Sequence, residues 1–174
     1  MDWDPSNKID NPQVEWDIFG GKHFDLGDGT DFNAEAYYYA YPAADYPGFT
    51  ASYFEGIFQL SHTFAGLAVT GTWAISPEFS FGTGLGNYIS GSFSYPIMDW
   101  LSVSANVGHQ WVNDLPDYTH GDIGATVTYK SLSVDARYVT TDLGKTNCGF
   151  YMGTNNACAG GFVATVTYNM ALLP

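Results

Sequence analysis

Apolar and polar residues alternate along most of the chain, as they do in a β-strand that has one face in an apolar environment. In the segment 101–111 (LSVSANVGHQW), the odd positions begin with leucine, valine, alanine and valine, while the even positions carry serine, asparagine, glycine and glutamine. Nine segments show this alternation: 14–24, 32–41, 50–64, 67–76, 87–95, 101–112, 119–130, 132–140 and 161–170. Many are near the length of about 9–11 residues that a tilted transmembrane strand needs. The pattern therefore predicts an all-β protein of nine antiparallel up-and-down strands.

The composition of the two strand faces favours a membrane barrel over a soluble sandwich. The polar face carries small, weakly charged residues, whereas a soluble sandwich would place lysine and glutamate there. Aromatic residues near strand ends fit the girdles of a membrane barrel: Trp16, Phe24, Phe64, Trp73, Tyr95, Trp100, Trp111 and Tyr129. The alternative interpretation is that these aromatics form the core of an ordinary sandwich.

Composition and charge exclude several classes of protein. Aromatic residues make up 17% of the chain and charged residues only 13%, with a formal net charge of −13. So many aromatics exclude disorder, and five lysines and arginines are too few for a nucleic-acid partner or an anionic membrane surface. No stretch approaches the roughly 20 apolar residues of a membrane-spanning helix. A low content of charged residues without a spanning helix points to β-structure that faces lipid.

The connections between the predicted strands alternate between compact and longer ones. Turns at 65–66 and 130–131 would face the periplasm, and loops 77–86 and 141–160 the outside. Nine strands is an odd number, and an open edge in lipid is costly. We therefore expect an odd number of strands upstream of Met1, closure by a second chain, or a location outside a membrane. The predicted division is an acidic N-terminal segment, 1–13, and a barrel domain, 14–174.

The two cysteines lie in the longest predicted loop. Cys148 and Cys158 flank a Gly/Asn-rich stretch that offers no further metal ligands, so a loop disulfide is favoured over a metal site. A disulfide implies an oxidising compartment. Because residues 1–12 contain no signal peptide, we expect that a leader has been removed. We also expect the disulfide to hold the tip 150–152 at the outer rim without contact to the barrel.

Three stretches carry a family resemblance. The run SYPIMDWLSVSANVGHQWV, the run DYTHGDIGATVTYKSLSVDARYVTTDL and the cysteine loop together resemble the TorF-like family of proteobacterial outer-membrane porins. VEWDIFGGKHF, AYYYAYP and YFEGIFQLSHTF fit the earlier strands of that family in the same order. The resemblance covers essentially the whole chain. It implies a twelve-strand transmembrane barrel, of which about three strands and a signal peptide would precede Val14. One departure is the end, YNMALLP, where outer-membrane barrels typically finish on an aromatic residue.

Acidic residues and tyrosines share the polar side of the predicted strands. The predicted lumen-lining residues are Glu15, Asp17, Glu35, Tyr37, Tyr39, Glu55, Asp135 and Arg137. Such an interior favours cations or hydroxyl-rich solutes. The alternative is a hydrogen-bonded plug, in which Arg137 pairs with acids, tyrosine hydroxyls satisfy the rest and no water path remains.

The sequence contains no arrangement that is typical of an enzyme or a metal site. The four histidines are scattered singly, and no serine lies in a G-x-S-x-G context. The segment 25–31 (DLGDGTD) only loosely resembles a calcium loop and is better explained as a hairpin turn. We therefore predict no enzyme activity, no cofactor and no metal.

The predicted function is passive passage of small, cation-biased solutes across the bacterial outer membrane. The predicted partners are outer-membrane lipid and small solutes, with no nucleic acid. Copies of the chain could also pair through the N-terminal edge strand, 14–24. The alternative function is a non-transporting structural or surface-interaction barrel whose long external loops bind a partner.

Overall fold

A computed structural model describes residues 14–42, 50–152 and 154–170. Nine antiparallel strands form one sheet, in which each strand pairs with its neighbours in the sequence. The strands are β1 (Trp16–Gly27), β2 (Thr30–Ala40), β3 (Tyr53–Phe64), β4 (Leu67–Ser76), β5 (Gly86–Met98), β6 (Leu101–Val112), β7 (Leu115–Tyr129), β8 (Leu132–Thr141) and β9 (Gly161–Tyr168). A 3-10 turn, Ser80–Gly82, and one helix, α1 (Lys145–Met152), lie in the connections. The predicted all-β, up-and-down antiparallel fold is confirmed.

Apart from register shifts near the ends of three pairs (β1/β2, β5/β6 and β6/β7), the strand register keeps the alternation in phase across the sheet. One side, here called the polar face, contains the odd-numbered residues of β1, β2, β3, β8 and β9 and the even-numbered residues of β4 to β7. The other side, the apolar face, contains the alternating positions. A one-residue slip in any pair would exchange the faces beyond it, so the alternation excludes slips by an odd number of residues but leaves slips by an even number open.

The apolar face is more exposed than the polar face, which is the reverse of a soluble protein. In β8 every position from Leu132 to Thr140 on the apolar face is exposed, and every position from Ser133 to Thr141 on the polar face is partly covered. Ile123 of β7 is 63% exposed and Phe162 of β9 is 87% exposed. In the described part of the chain, only four hydrophobic residues are buried, Ala51, Ala74, Val112 and Cys148. The strands therefore bury little apolar surface against each other.

Tight turns join the strands at one end of the sheet. The connections there are the two-residue turns 28–29, 65–66, 99–100 and 130–131. Asp28, Ala65 and Lys130 adopt positive φ angles of 52°, 48° and 54°, as the turns of tight hairpins require. The other end holds the connections 41–52, 77–85 and 142–160, together with the tight turn 113–114.

Strand ends differ from the sequence prediction mainly at β7. The segment 113–118 was expected to be a loop, but β7 begins at Leu115 after a turn at Asn113–Asp114, and a register shift lies between Gln110 and Val112. A bulge of this kind absorbs the irregular segment. Loop 141–160 also contains α1, which the sequence analysis did not predict.

Within the described residues, the sheet does not close on itself, because β1 pairs only with β2 and β9 only with β8. The described residues contain no helix that could span a bilayer; α1 has eight residues. The acidic segment 1–13 lies outside the described residues.

Candidate functional site

All eight residues predicted to line a lumen have positions on the polar face. The structure brings them together in two separate groups rather than in one site. Glu15, Asp17, Glu35, Tyr37, Tyr39 and Glu55 lie on or beside β1 to β3, and Asp135 and Arg137 lie on β8. The first group is here called the acid–tyrosine cluster and the second, with Asp122 of β7, the arginine cluster.

In the acid–tyrosine cluster, each of the three glutamate carboxylates accepts a hydrogen bond from a tyrosine hydroxyl. The hydroxyl of Tyr37 donates to Glu35 over 3.1 Å, and that of Tyr39 donates to Glu55 over 3.4 Å. The hydroxyl of Tyr41, which follows β2, donates to Glu15. Because these bonds keep the carboxylates on the polar face, the cluster concentrates negative charge along three strands.

The rings of this cluster form a continuous row. Phe19 stacks on Tyr37 with centroids 5.0 Å apart, Tyr37 stacks on Tyr39 at 5.7 Å, and Tyr39 stacks on Tyr53 at 4.7 Å. The row ends at Phe79 in the connection 77–85, 4.9 Å from Tyr53. Stacked contacts of this kind fix ring orientation, so the hydroxyls are held towards their carboxylate partners.

The arginine cluster is a tight ion-paired group. Arg137 donates through Nε and Nη2 to the two carboxylate oxygens of Asp135, at 2.7 and 3.1 Å. Its Nη1 donates to Asp122 at 2.5 Å, and its Nη2 also reaches Ser104 of β6 at 3.4 Å. The side chain can cross β7 because position 124 is glycine, where a Cβ atom would lie 2.7 Å from the Cβ of Arg137.

A third contact on the polar face was missed by the sequence analysis. Tyr88 of β5 and His120 of β7 meet across β6, with 2.9 Å between the hydroxyl and Nε2 and with parallel rings 5.7 Å apart. They meet above Gly108, where a Cβ would lie 2.6 Å from both polar atoms. The feature of the sequence that permits this contact is a glycine that lies between two long polar-face side chains of the flanking strands. It can be recognised only when the register of the three strands is known.

Two long connections fold over the polar face at the end opposite the tight turns. In the connection 77–85, Phe79 packs on Gly86, and Ser80 donates to the carbonyl of Ala51 at 2.9 Å. In the connection 142–160, the Asp142 carboxylate accepts a bond from the Thr119 amide at 2.7 Å. These contacts hold the connection 77–85 against β5 and the connection 41–52, and the connection 142–160 against β7.

The predicted disulfide is confirmed. Cys148 of α1 and Cys158 are bonded with 5.8 Å between their Cα atoms, and Cys148 is fully buried. The expectation that this loop would not touch the barrel is wrong, because the Tyr151 hydroxyl donates to the Pro116 carbonyl of β7 at 2.7 Å. Burial, and to a smaller extent the neighbouring Tyr118, raises the pKa of Tyr151 to about 12. The phenol is therefore an uncharged donor at neutral pH.

The other three histidines each contact a nearby polar side chain and do not come together in one site. His23 contacts Asp31 at 3.1 Å, His62 contacts Thr30 at 2.8 Å, and His109 contacts Thr119 at 2.8 Å. No group of three His, Cys, Asp or Glu side chains in the described residues is placed to hold a metal ion. The chemistry that the polar face offers is hydrogen bonding and negative potential.

The fold and its faces define a class: an all-β protein built from one antiparallel up-and-down sheet with a polar and an apolar side. The family model described as bacterial protein of unknown function (Gcw_chp) matches residues 3–170. The chain therefore belongs to the Gcw_chp family of bacterial proteins. No curated protein and no solved structure shows a significant match to it. The resemblance to TorF-like porins stays a prediction.

Proposed function

We propose that the chain forms nine strands of a β-barrel in the bacterial outer membrane, which passes small solutes with a bias towards cations. The observation that carries the proposal is the reversed exposure of the sheet: on β2 to β8, the exposed positions lie mostly on the apolar face, while most polar-face positions are partly covered or buried. A sheet that faces lipid on one side and a polar interior on the other has this distribution.

The aromatic residues support the same proposal. All eight residues predicted as girdle positions are exposed, and they lie towards the ends of the strands or in a tight turn. Among the described strands, charge is rare on the apolar face: Lys22 of β1 lies in the middle of its strand, with its Nζ 5.0 Å from the Phe24 ring centroid. A charge at mid-depth costs about 2–4 kcal/mol in lipid, so a nearly uncharged face fits a lipid environment.

Cation bias follows from the acid–tyrosine cluster. In a confined lumen with low-dielectric walls, fixed carboxylates focus a negative potential that concentrates cations. The arginine cluster adds one positive and two negative charges and is internally paired, so it contributes little net field. The bias therefore rests on Glu15, Asp17, Glu35 and Glu55.

Conductance in planar bilayers tests this function. Under a KCl gradient, we expect a reversal potential of the sign that cation preference gives. Neutralising the cluster (Glu15→Gln, Asp17→Asn, Glu35→Gln and Glu55→Gln together) should remove most of that potential. Neutralising Asp114, in the turn 113–114, and Asp117, near the start of β7, is the control and should preserve it. No conductance, or anion preference in the unaltered protein, would overturn the proposal.

A second candidate function is a non-transporting barrel that assembles with other copies or binds a partner through its long connections. The observations that favour it are internal: Arg137 is paired with two aspartates, and tyrosine hydroxyls satisfy the glutamates. β1 is exposed along its whole length and its outer edge has no partner among the described residues. Light scattering of the protein in detergent tests the assembly, because pairing through the β1 edge predicts a dimer or larger particle.

A further inference from the structure

A cavity of about 310 Å³ lies between the connection 142–160 and the polar face of β7 and β8. Its walls include Tyr118, His120, Val139, Leu143, Tyr151 and Met152, and the disulfide-bonded Cys158. This volume is at the lower end of the range for small-molecule sites. We propose that this cavity binds a small, uncharged aromatic molecule that carries a hydroxyl group.

The preference for an uncharged ligand follows from the walls. Among the described residues that line the cavity, none is a lysine, an arginine, an aspartate or a glutamate. A charged ligand would leave water without gaining an opposite charge, which is unfavourable. Most of the accessible wall comes from aliphatic side chains, aromatic rings and sulfur, so a flat apolar body fits the interior.

The preference for an aromatic ring follows from two contacts that the cavity offers. Tyr118 and Tyr151 meet edge to face, with centroids 5.1 Å apart, and a third ring can extend such an arrangement. Met152 is 59% exposed and lines the same cavity. A thioether makes favourable contacts with ring edges.

The preference for a hydroxyl group on the ligand follows from polar atoms in the cavity wall that have unused hydrogen-bonding capacity. The described residues provide no hydrogen-bond partner for the Tyr118 hydroxyl, and the contact of His120 with Tyr88 uses only Nε2 of the imidazole. The Tyr151 hydroxyl, by contrast, is occupied by the Pro116 carbonyl. A ligand hydroxyl can both donate and accept, so it satisfies Tyr118 and the second nitrogen of His120 whichever tautomer is present.

The site is held in place before a ligand arrives. The disulfide cross-links the connection internally, and the Tyr151 bond to Pro116 and the Asp142 bond to Thr119 anchor it to β7 at two points. A preformed site loses less conformational freedom on binding. Binding here does not require solutes to pass along the polar face, so absence of conductance leaves this proposal standing.

Calorimetric titration of the detergent-solubilised chain with 2-naphthol tests the site, with empty micelles as the blank. We expect saturable binding to one site. Val139→Trp fills the cavity and should weaken binding by at least about tenfold. Val163→Trp is the matched control, since Val163 lies on the polar face of the next strand, outside the cavity, and should leave the affinity within roughly a factor of two.

A second pair of measurements keeps the test valid if Val139→Trp fails to fold. Tyr118→Phe preserves the ring and removes the hydroxyl, and it should weaken 2-naphthol binding by about threefold to tenfold, the net effect of one neutral hydrogen bond. The same variant should change the affinity for 2-methoxynaphthalene much less, because that probe has no hydroxyl. Heat no greater than that of empty micelles, or equal affinities for unaltered protein, Tyr118→Phe and folded Val139→Trp, would overturn the proposal.

Discussion

Replacing Arg137 by leucine should destabilise the sheet through the two aspartates that it leaves behind. The guanidinium makes paired contacts with Asp135 at 2.7 and 3.1 Å and a contact with Asp122 at 2.5 Å. Its side chain is 31% exposed, and the two aspartates are 17% and 18% exposed. The cluster is therefore neither a surface pair nor a fully buried one.

The magnitude lies between two limits. Removing one partner of a fully buried pair costs about 3–5 kcal/mol, while an exposed pair contributes about 0–1 kcal/mol. With a third of the arginine in solvent, we expect Arg137→Leu to lower the free energy of unfolding by about 2–3 kcal/mol. Most of this cost comes from unpaired carboxylates, so replacing both with asparagine in the same chain should recover about half of it.

Urea unfolding in detergent micelles, followed by strand circular dichroism, measures these changes. The comparison holds if the denaturant slope is the same in all variants, because then a shift in midpoint is a shift in stability. Glu78→Gln, in the connection 77–85, is a distant charge control. The reasoning is refuted if Arg137→Leu shifts the stability by less than about 0.5 kcal/mol, or if the triple variant is no more stable than Arg137→Leu alone.

Three further perturbations follow from the structure. Gly108→Val should prevent the contact between Tyr88 and His120, because its Cβ would lie 2.6 Å from both. We expect the free energy of unfolding in the same urea assay to fall by about 2 kcal/mol, and unchanged stability would contradict this. Cys148→Ser should leave the circular dichroism of the strands nearly unchanged but speed proteolysis between β8 and β9. The reason is that the cross-link joins residues ten apart in the sequence and contributes roughly 2–3 kcal/mol to the stability of the loop. Equal digestion of both forms under non-reducing conditions would refute this. Ile123→Lys, on the exposed apolar face, should reduce insertion into vesicles much more than Ser90→Lys on the polar face, by about 2–4 kcal/mol; equal insertion of the two would argue against a lipid-facing sheet.

Strand positions could be predicted from the sequence because period-two alternation is a local property. β4 and β6 have the predicted bounds, and the other strands differ by a few residues at their ends. The alternation fails around Pro116, where the apolar pattern is broken, so the start of β7 could not be located. α1 was missed for a related reason, since the residues 145–152 (KTNCGFYM) have no helical repeat of apolar positions and include a glycine.

The candidate site was predictable only in part. The alternation of side chains along a strand is enough to place Glu35, Tyr37 and Tyr39 on one face, because they are two residues apart on β2. Contacts between strands depend on register and on side-chain direction, neither of which the sequence states. The Tyr88–His120 contact across β6 and the reach of Arg137 over Gly124 therefore needed coordinates, as did the docking of Tyr151 on β7.

In the described part of the chain, every strand of the sheet is hydrogen-bonded only to the strands that precede and follow it in the sequence. The pairing of each hairpin therefore depends only on the strands next to it. Loss or duplication of a more distant hairpin leaves that pairing unchanged. Gain or loss of one hairpin changes the width of the sheet by two strands and leaves the polar-face and apolar-face residues of the other strands unaltered. Within such an architecture, the number of strands in the sheet can change during evolution by duplication of a hairpin-sized segment of about 25 residues, without redesign of the remaining strands.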